Sequence, residues 1–295
     1  MKIENPPFKI LLANDGSEHS QAAIQLITDL PDHHLFSIVA ISVLPQRQIS
    51  EQDKFIEVLT QAKDQLEKED FVVSTELLIG HPAEKIIDTA NEIKPDLIVL
   101  GAIGLRATLG ILLGGVAQQI VENSLQPVLI VRAPYKGIRK VLLVTDGSER
   151  SQKTLTFLEN FPLPPTAQLQ VMHVLPPLPS PEIITRTWPM GSEAIPPLPP
   201  ATLTEEFNKW EAEEKEQGQK ILENTVNSLK AAGKESISIL KRGDAATEII
   251  NYVKSEQIDL IIAGSRGMSQ VQGWLLGSVS RKLIHYAGCS VLIVK

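Results

Sequence analysis

A chain of 295 residues, 43% of them hydrophobic, is long enough for two domains of ordinary size with packed cores. Its net charge of −7 and isoelectric point near 5.5 argue against nucleic acid as a main partner. The single cysteine, Cys289, excludes an intrachain disulfide and a cysteine-cluster metal site. No apolar run reaches the roughly 18 residues of a membrane span. The first residues lead into a strand rather than a signal-peptide core, so a soluble cytoplasmic protein is expected.

The chain opens with an apolar run at 8–15, read as a buried strand that ends in the turn Asp15-Gly16-Ser17. Ala22, Ala23, Leu26, Ile27 and Leu30 then recur at helical spacing, with Ser17 as N-cap. A second strand follows at 35–44, an amphipathic helix at about 50–69 and a third strand at 71–79. Pro82 suits the first turn of a third helix. A strand at 95–101, a glycine-containing loop, a helix at 114–124 and a strand at 127–132 complete the series.

The same order then begins again. The stretch 138–155 matches 7–24, pairing Asp15 with Asp146 at an offset of 131. Farther on Gly101 pairs with Gly264, at an offset of 163. The first repeat is assigned 1–137 and the second 138–295, and the second carries an insertion of 32 residues at about 176–207. Nine of the chain's 20 prolines fall in 176–200, a composition unsuited to regular helix or central strand. After it, 203–233 reads as a long charged helix with Thr204 as N-cap. Two readings of the insertion stand side by side: a solvated loop and helix face, or a flap over the ligand site or over the other repeat. The first 137 residues carry 18 acids and 11 bases and the rest 17 of each, so an anionic ligand is better tolerated by the second repeat.

Alternating strands and helices predict an α/β fold of two doubly wound, five-stranded parallel sheets with helices on both faces. Ligands of such sheets bind beyond the carboxyl ends of the strands. In the second repeat Asp146 ends strand one and Val174 ends strand two. Gly264 ends strand four, followed by Arg266 and Gly267, then Gly277-Ser278-Val279 nine residues on. A glycine loop that delivers free backbone N–H groups to a helix N-terminus makes an anion site. Ser278 could cap that helix or donate to a phosphate oxygen, and Arg266 supplies a planar fork of donors.

These residues resemble the universal stress protein family, here as two fused copies. Gly264, Gly267, Gly277 and Ser278 meet the Gly-x2-Gly-x9-Gly-Ser/Thr pattern of its nucleotide-binding subgroup, and both repeats show Asp-Gly-Ser, at 15–17 and 146–148. The resemblance implies an adenine nucleotide alpha hydrolase-like fold and ATP, with Mg, as ligand. Gly264, Gly267, Gly277 and Ser278 would hold the phosphates, with Val279 opening the helix. Asp146 would lie near the ribose and the metal, and the backbone of Val174 would meet adenine. The first repeat departs from the pattern: Gly115 stands where Ser278 stands, and Ile103 replaces Arg266. One good site in repeat 2, and a weak or empty one in repeat 1, are therefore expected. Family domains pair through their last strands, which implies that the two repeats form a pseudo-dimer within one chain; homodimerisation is open.

Three functions are compatible with these residues. The first is an ATP-responsive regulatory or stress-response protein with a protein partner. The second is a weak ATP-hydrolysing enzyme, although the Gly-x4-Gly-Lys-Ser/Thr loop is missing and no catalytic residue is assigned. The third is a nucleotide-free scaffold. A dinucleotide dehydrogenase fits poorly, because Asp-Gly-Ser stands where Gly-x-Gly-x-x-Gly is needed. His173 reads as a core or strand-end residue, His285 as packing or surface, and Cys289 as a buried, inert thiol.

Overall fold

In a computed structural model, residues 7–105, 113–178, 200–267 and 276–295 are described. The first repeat contributes β1 (Phe8–Ala13), α1 (Glu18–Thr28), β2 (Phe36–Leu44), α2 (Gln52–Glu67), β3 (Val72–Ile79), α3 (Pro82–Ile93), β4 (Leu97–Gly101), α4 (Gly115–Asn123) and β5 (Val128–Val131). The second contributes β6 (Lys140–Val144), α5 (Glu149–Asn160), β7 (Gln168–Leu175), α6 (Pro200–Ala231), β8 (Ser236–Arg242), α7 (Ala245–Glu256), β9 (Leu260–Gly264), α8 (Ser278–Tyr286) and β10 (Ser290–Val294). The elements read from the periodicity are all present. Most of the proline-rich insertion, the middle of the first glycine loop and the nine-residue spacer of the second lie outside the described residues.

The ten strands of the described residues form one sheet in the order β3-β2-β1-β4-β5-β10-β9-β6-β7-β8. Within each repeat every pairing is parallel. The repeats meet at β5 and β10, which pair antiparallel with Leu292 opposite Leu129. The central strands are covered on both faces, which explains why β4, β5, β9 and β10 are continuous apolar runs rather than alternating ones. Successive side chains point to opposite faces. Ile10 and Leu12 of β1 belong to the apolar layer that α1, α2, α5 and α6 cover, and Leu11 to the layer on the other face, which α3, α4, α7 and α8 cover. Each of the two cores runs through both repeats. Phe8 of β1 adds a direct bridge, with ring centroids 6.2 and 6.1 Å from Phe157 and Phe161 at the end of α5.

Ser17 and Ser148 accept the N–H groups of Ser20 and Ser151, so both Asp-Gly-Ser turns end in capped helices. The long helix departs from expectation. It begins at Pro200, so Thr204 lies inside it rather than at its cap. Proline is tolerated in a first turn because its missing N–H would be unpaired there anyway. Leu222 and Leu229 seat the later half of α6 in the core. The Glu214 carboxylate meets the Arg242 guanidinium at 2.5 Å, at the last residue of β8. Residues 200–213 thus extend about 20 Å past the strand ends at helical rise.

Register is locked by a carboxylate that the hydrophobic pattern does not reveal. Asp96, before β4, accepts the backbone N–H of Lys9 at 2.7 Å. Asp259, before β9, accepts those of Arg139 and Lys140 at 3.0 and 2.9 Å, and the Arg139 guanidinium lies 3.8 Å away. Asp259→Ala should therefore cost about 1–3 kcal/mol of stability and Asp96→Ala less, since one N–H rather than two is left unpaired. Urea unfolding of the two variants measures the difference, and an equal or reversed order would contradict this account.

Candidate functional site

The strand order places a topological switch point between β6 and β9. The chain leaves β6 toward β7 on one side and returns at β9 on the other, the arrangement at whose carboxyl ends open α/β sheets bind ligands. Asp146 stands at those ends, two residues after β6. Its Oδ1 accepts the Ser148 N–H at 3.1 Å and the Ser148 hydroxyl at 2.6 Å, which fixes the carboxylate over the turn. Gly147 has φ +76°, a conformation that glycine adopts without steric cost.

Gly264 to Gly267 enter from the other side. A Cβ on Gly267 would lie 2.5 Å from Asp146 Oδ2, so only glycine lets the loop come this close to the carboxylate. The loop is anchored by backbone: Ser265 N–H donates to Val294 C=O at 2.7 Å, and Gly277 N–H donates to Ser265 C=O at 2.7 Å. Asp146, Gly264, Arg266, Gly267, Gly277 and Ser278 thus come together at one sheet edge. Val174, half-buried near the end of β7, stands one strand beyond β6. Val279 follows Ser278 in the first turn of α8 and packs against the core.

The cap of α8 corrects one sequence alternative. Gly277, not Ser278, is the N-cap, and among the described residues no side chain caps the helix. The first intrahelical bond runs from Arg281 N–H to Gly277 C=O at 2.9 Å. The N–H groups of Ser278, Val279 and Ser280 precede it and are the orphan donors of the helix start. Ser278 is exposed, so its hydroxyl stands beside those donors instead of being consumed by one. Sequence reasoning missed Ser280, whose buried hydroxyl donates to Gly264 C=O at 2.7 Å and ties α8 to the end of β9. Its counterpart in the first repeat is Ala117, and that difference between the repeats was the available signal.

The first repeat keeps the frame with different contents. Asp15 Oδ2 accepts the Leu105 N–H at 3.1 Å, and a Cβ on Gly104 would lie 2.6 Å from the same oxygen. Gly114 caps α4, again without a side-chain bond. A Cβ on Gly115 would meet nothing within 4 Å among the described residues, so the position lacks the hydroxyl and these residues leave room for it.

Among the described residues no cluster of three His, Cys, Asp or Glu is arranged to hold a metal. Asp146 offers one carboxylate, which suits a Mg ion carried mainly by phosphates and waters. His173 is buried at the end of β7, its Nδ1–H donating to Thr145 C=O at 2.9 Å, which is a positioning contact within the sheet. Cys289 is buried and its thiol is pushed up to about 12 by burial, so it carries no thiolate. No helix among the described residues is long and apolar enough to cross a membrane.

Lys295 lies close to the site. Burial first, and then the neighbouring Arg266 charge, push its ammonium down to about 8, against an opposing effect from Glu122. In the unfolded chain a lysine titrates near about 10.4. Between these values the unfolded chain binds more protons, so this residue adds a component of stability that rises with pH from about 8 to 10.4. Lys295→Met should lack that component. The difference in urea midpoint between variant and parent, taken at pH 7.5 and 9.5, should shift in favour of the parent at the higher pH, and an unchanged difference would refute the assignment.

A sequence profile described as "Universal stress protein family" matches residues 8–132 and again 137–295. "Universal stress protein YxiE" of Bacillus subtilis is 32% identical over 163 residues, spanning 53% of this chain and 98% of its own. The crystal structure of a universal stress protein from Archaeoglobus fulgidus covers 99% of this chain and 98% of its own, at TM-score 0.66 and 20% identity. A shorter structure from Arabidopsis thaliana, with AMP bound, covers 43% of this chain and 91% of its own, at TM-score 0.35 and 16% identity. With the duplicated fold, the paired Asp-Gly-Ser turns and a profile matched twice along its length, the chain belongs to the universal stress protein family.

Proposed function

We propose that this chain is an ATP-binding regulatory protein of the stress response, with the nucleotide held by the second repeat. The observation that carries the reading is the start of α8: three orphan N–H groups and an exposed serine hydroxyl, set opposite a carboxylate that only Gly267 allows so near. Phosphate oxygens supply the acceptors that those donors lack, and the helix dipole favours their charge. Arg266, on the same loop, would add a planar fork of donors to the phosphates. Asp146 would hold a Mg ion that the phosphates bring with them; when bound, that ion neutralises phosphate charge. The assignment of Val174 to adenine rests on the family resemblance and on its half-buried place near the end of β7.

Occupancy would then act on conformation or on a protein partner. In this reading no residue serves as nucleophile or general base. The first repeat, with Gly115 and Ile103 in place of the hydroxyl and the guanidinium, binds weakly or not at all.

Calorimetric titration with Mg-ATP tests the reading. One site per chain is expected, and Ser278→Ala should weaken it about tenfold or more, the worth of one hydrogen bond to a charged group. Two sites of equal affinity would overturn the asymmetry between repeats, and no binding up to millimolar ATP would overturn the nucleotide assignment itself.

A further inference from the structure

Two basic residues outside the nucleotide motif occupy equivalent places at the junction of the repeats. Because β5 and β10 run antiparallel, the residue after each strand reaches the last helix of the other repeat. Arg132 follows β5. Its Nε donates to Cys289 C=O at 3.1 Å and its Nη2 to Ile284 C=O at 2.7 Å, in the last turn of α8. Lys295 follows β10, and its Nζ donates to Val121 C=O in the last turn of α4. The offset of 163 that aligns the glycine loops also aligns Arg132 with Lys295 and Val121 with Ile284. The contact is therefore reciprocal, each repeat capping the helix of the other.

These are the two helices whose opposite ends form the cradles. The last carbonyls of a helix have no intrahelical donor, and a cation there complements the dipole that favours an anion at the N-terminus. A second link joins the same parts. In the second repeat Gly277 N–H reaches Ser265 C=O and Ser265 N–H reaches Val294 C=O, next to Lys295. In the first, Gly114 N–H reaches Ala102 C=O and Ala102 N–H reaches Val131 C=O, next to Arg132, both at 2.8 Å. Each cradle is thus two backbone hydrogen bonds from the residue preceding the cation that holds the other repeat's helix. Arg281 of α8 and Glu122 of α4 also face each other at 3.9 Å.

We propose that Arg132, from the first repeat, is a positioning residue for the anion cradle of the second, acting through α8, and that Lys295 acts likewise on the first through α4, so that the two cradles are coupled across the β5–β10 junction. For the identity of its anion this rests on the nucleotide reading above; for its geometry it does not.

The test uses the full chain. Arg132→Met keeps the aliphatic stem and removes the donors. Hydrogen exchange by NMR on the ligand-free protein is read at Arg281 and Lys282, whose amides lie in the early part of α8, and at Gln118 and Gln119 in α4. Arg132→Met should speed exchange in α8 about tenfold and leave α4 unchanged, Lys295→Met should do the reverse, and Arg132→Lys should restore most of the protection. Mg-ATP affinity of Arg132→Met should fall about tenfold. Unchanged exchange at Arg281 and Lys282 would overturn the proposal. So would a uniform rise along the whole chain, which marks a general stability residue. If the parent protein binds no ATP, the nucleotide reading falls, and the exchange pattern still decides whether Arg132 positions α8.

Discussion

The antiparallel pairing of β5 with β10 is the constraint on which the rest of this molecule depends. Among the described residues it is the one reversal in an otherwise parallel ten-stranded sheet. A last strand of an isolated five-stranded unit would present a row of unpaired N–H and C=O groups beside apolar side chains. Pairing the two removes both exposures at once. It also merges the cores, since Leu129 and Val131 belong to the same apolar layer as Leu292 and Val294. The reversal of direction carries Arg132 and Lys295 across the junction to the helix ends that they cap.

The switch point between β6 and β9 follows from strand order in the same way. Two strands that neighbour each other in space but are separated by more than a hundred residues bring Asp146 and Gly267 together. The cost of that approach is a position that accepts no side chain. The same frame exists in the first repeat, where Asp15 and Gly104 repeat the close approach. The repeats differ instead in their donors: Ser278 and Arg266 against Gly115 and Ile103, and Ser280 against Ala117. The two repeats share the scaffold, while these hydroxyls and the guanidinium are present in the second alone.

The second repeat also carries a helix twice as long as its counterpart. α6 and α2 cover equivalent parts of the sheet, but α6 continues past the carboxyl ends of the strands. Arg242 fastens that extension by bonding both Glu214 and the Pro176 carbonyl, so the two flanks of the insertion are held by one guanidinium. Phe207 and Trp210 pack against each other on the extension, with Trp210 well exposed.

The elements and the duplication were legible in the sequence because they are local and periodic. Apolar runs marked the buried strands, Asp-Gly-Ser marked the turns, and Ser17 capped its helix as read. The glycine pattern marked the close approach of Gly267 to Asp146, because a loop that approaches a carboxylate excludes a Cβ whatever the rest of the fold does. Pro200 was misread, since proline composition marks both a break and a helix start. Ser278 was left between two roles, which only the cap geometry at Gly277 separates. Asp96, Asp259, Arg132, Lys295 and Ser280 were not legible as contacts at all. Their partners lie 16 to 174 residues away along the chain, and nothing in the local pattern of a charged or hydroxyl residue says which backbone group it will meet. The sequence by itself determined which segments are strands and helices, and where a side chain is forbidden. Only the tertiary structure decided which carbonyl each polar group satisfies, because hydrogen bonds across a sheet depend on strand order and direction, and those are settled by packing.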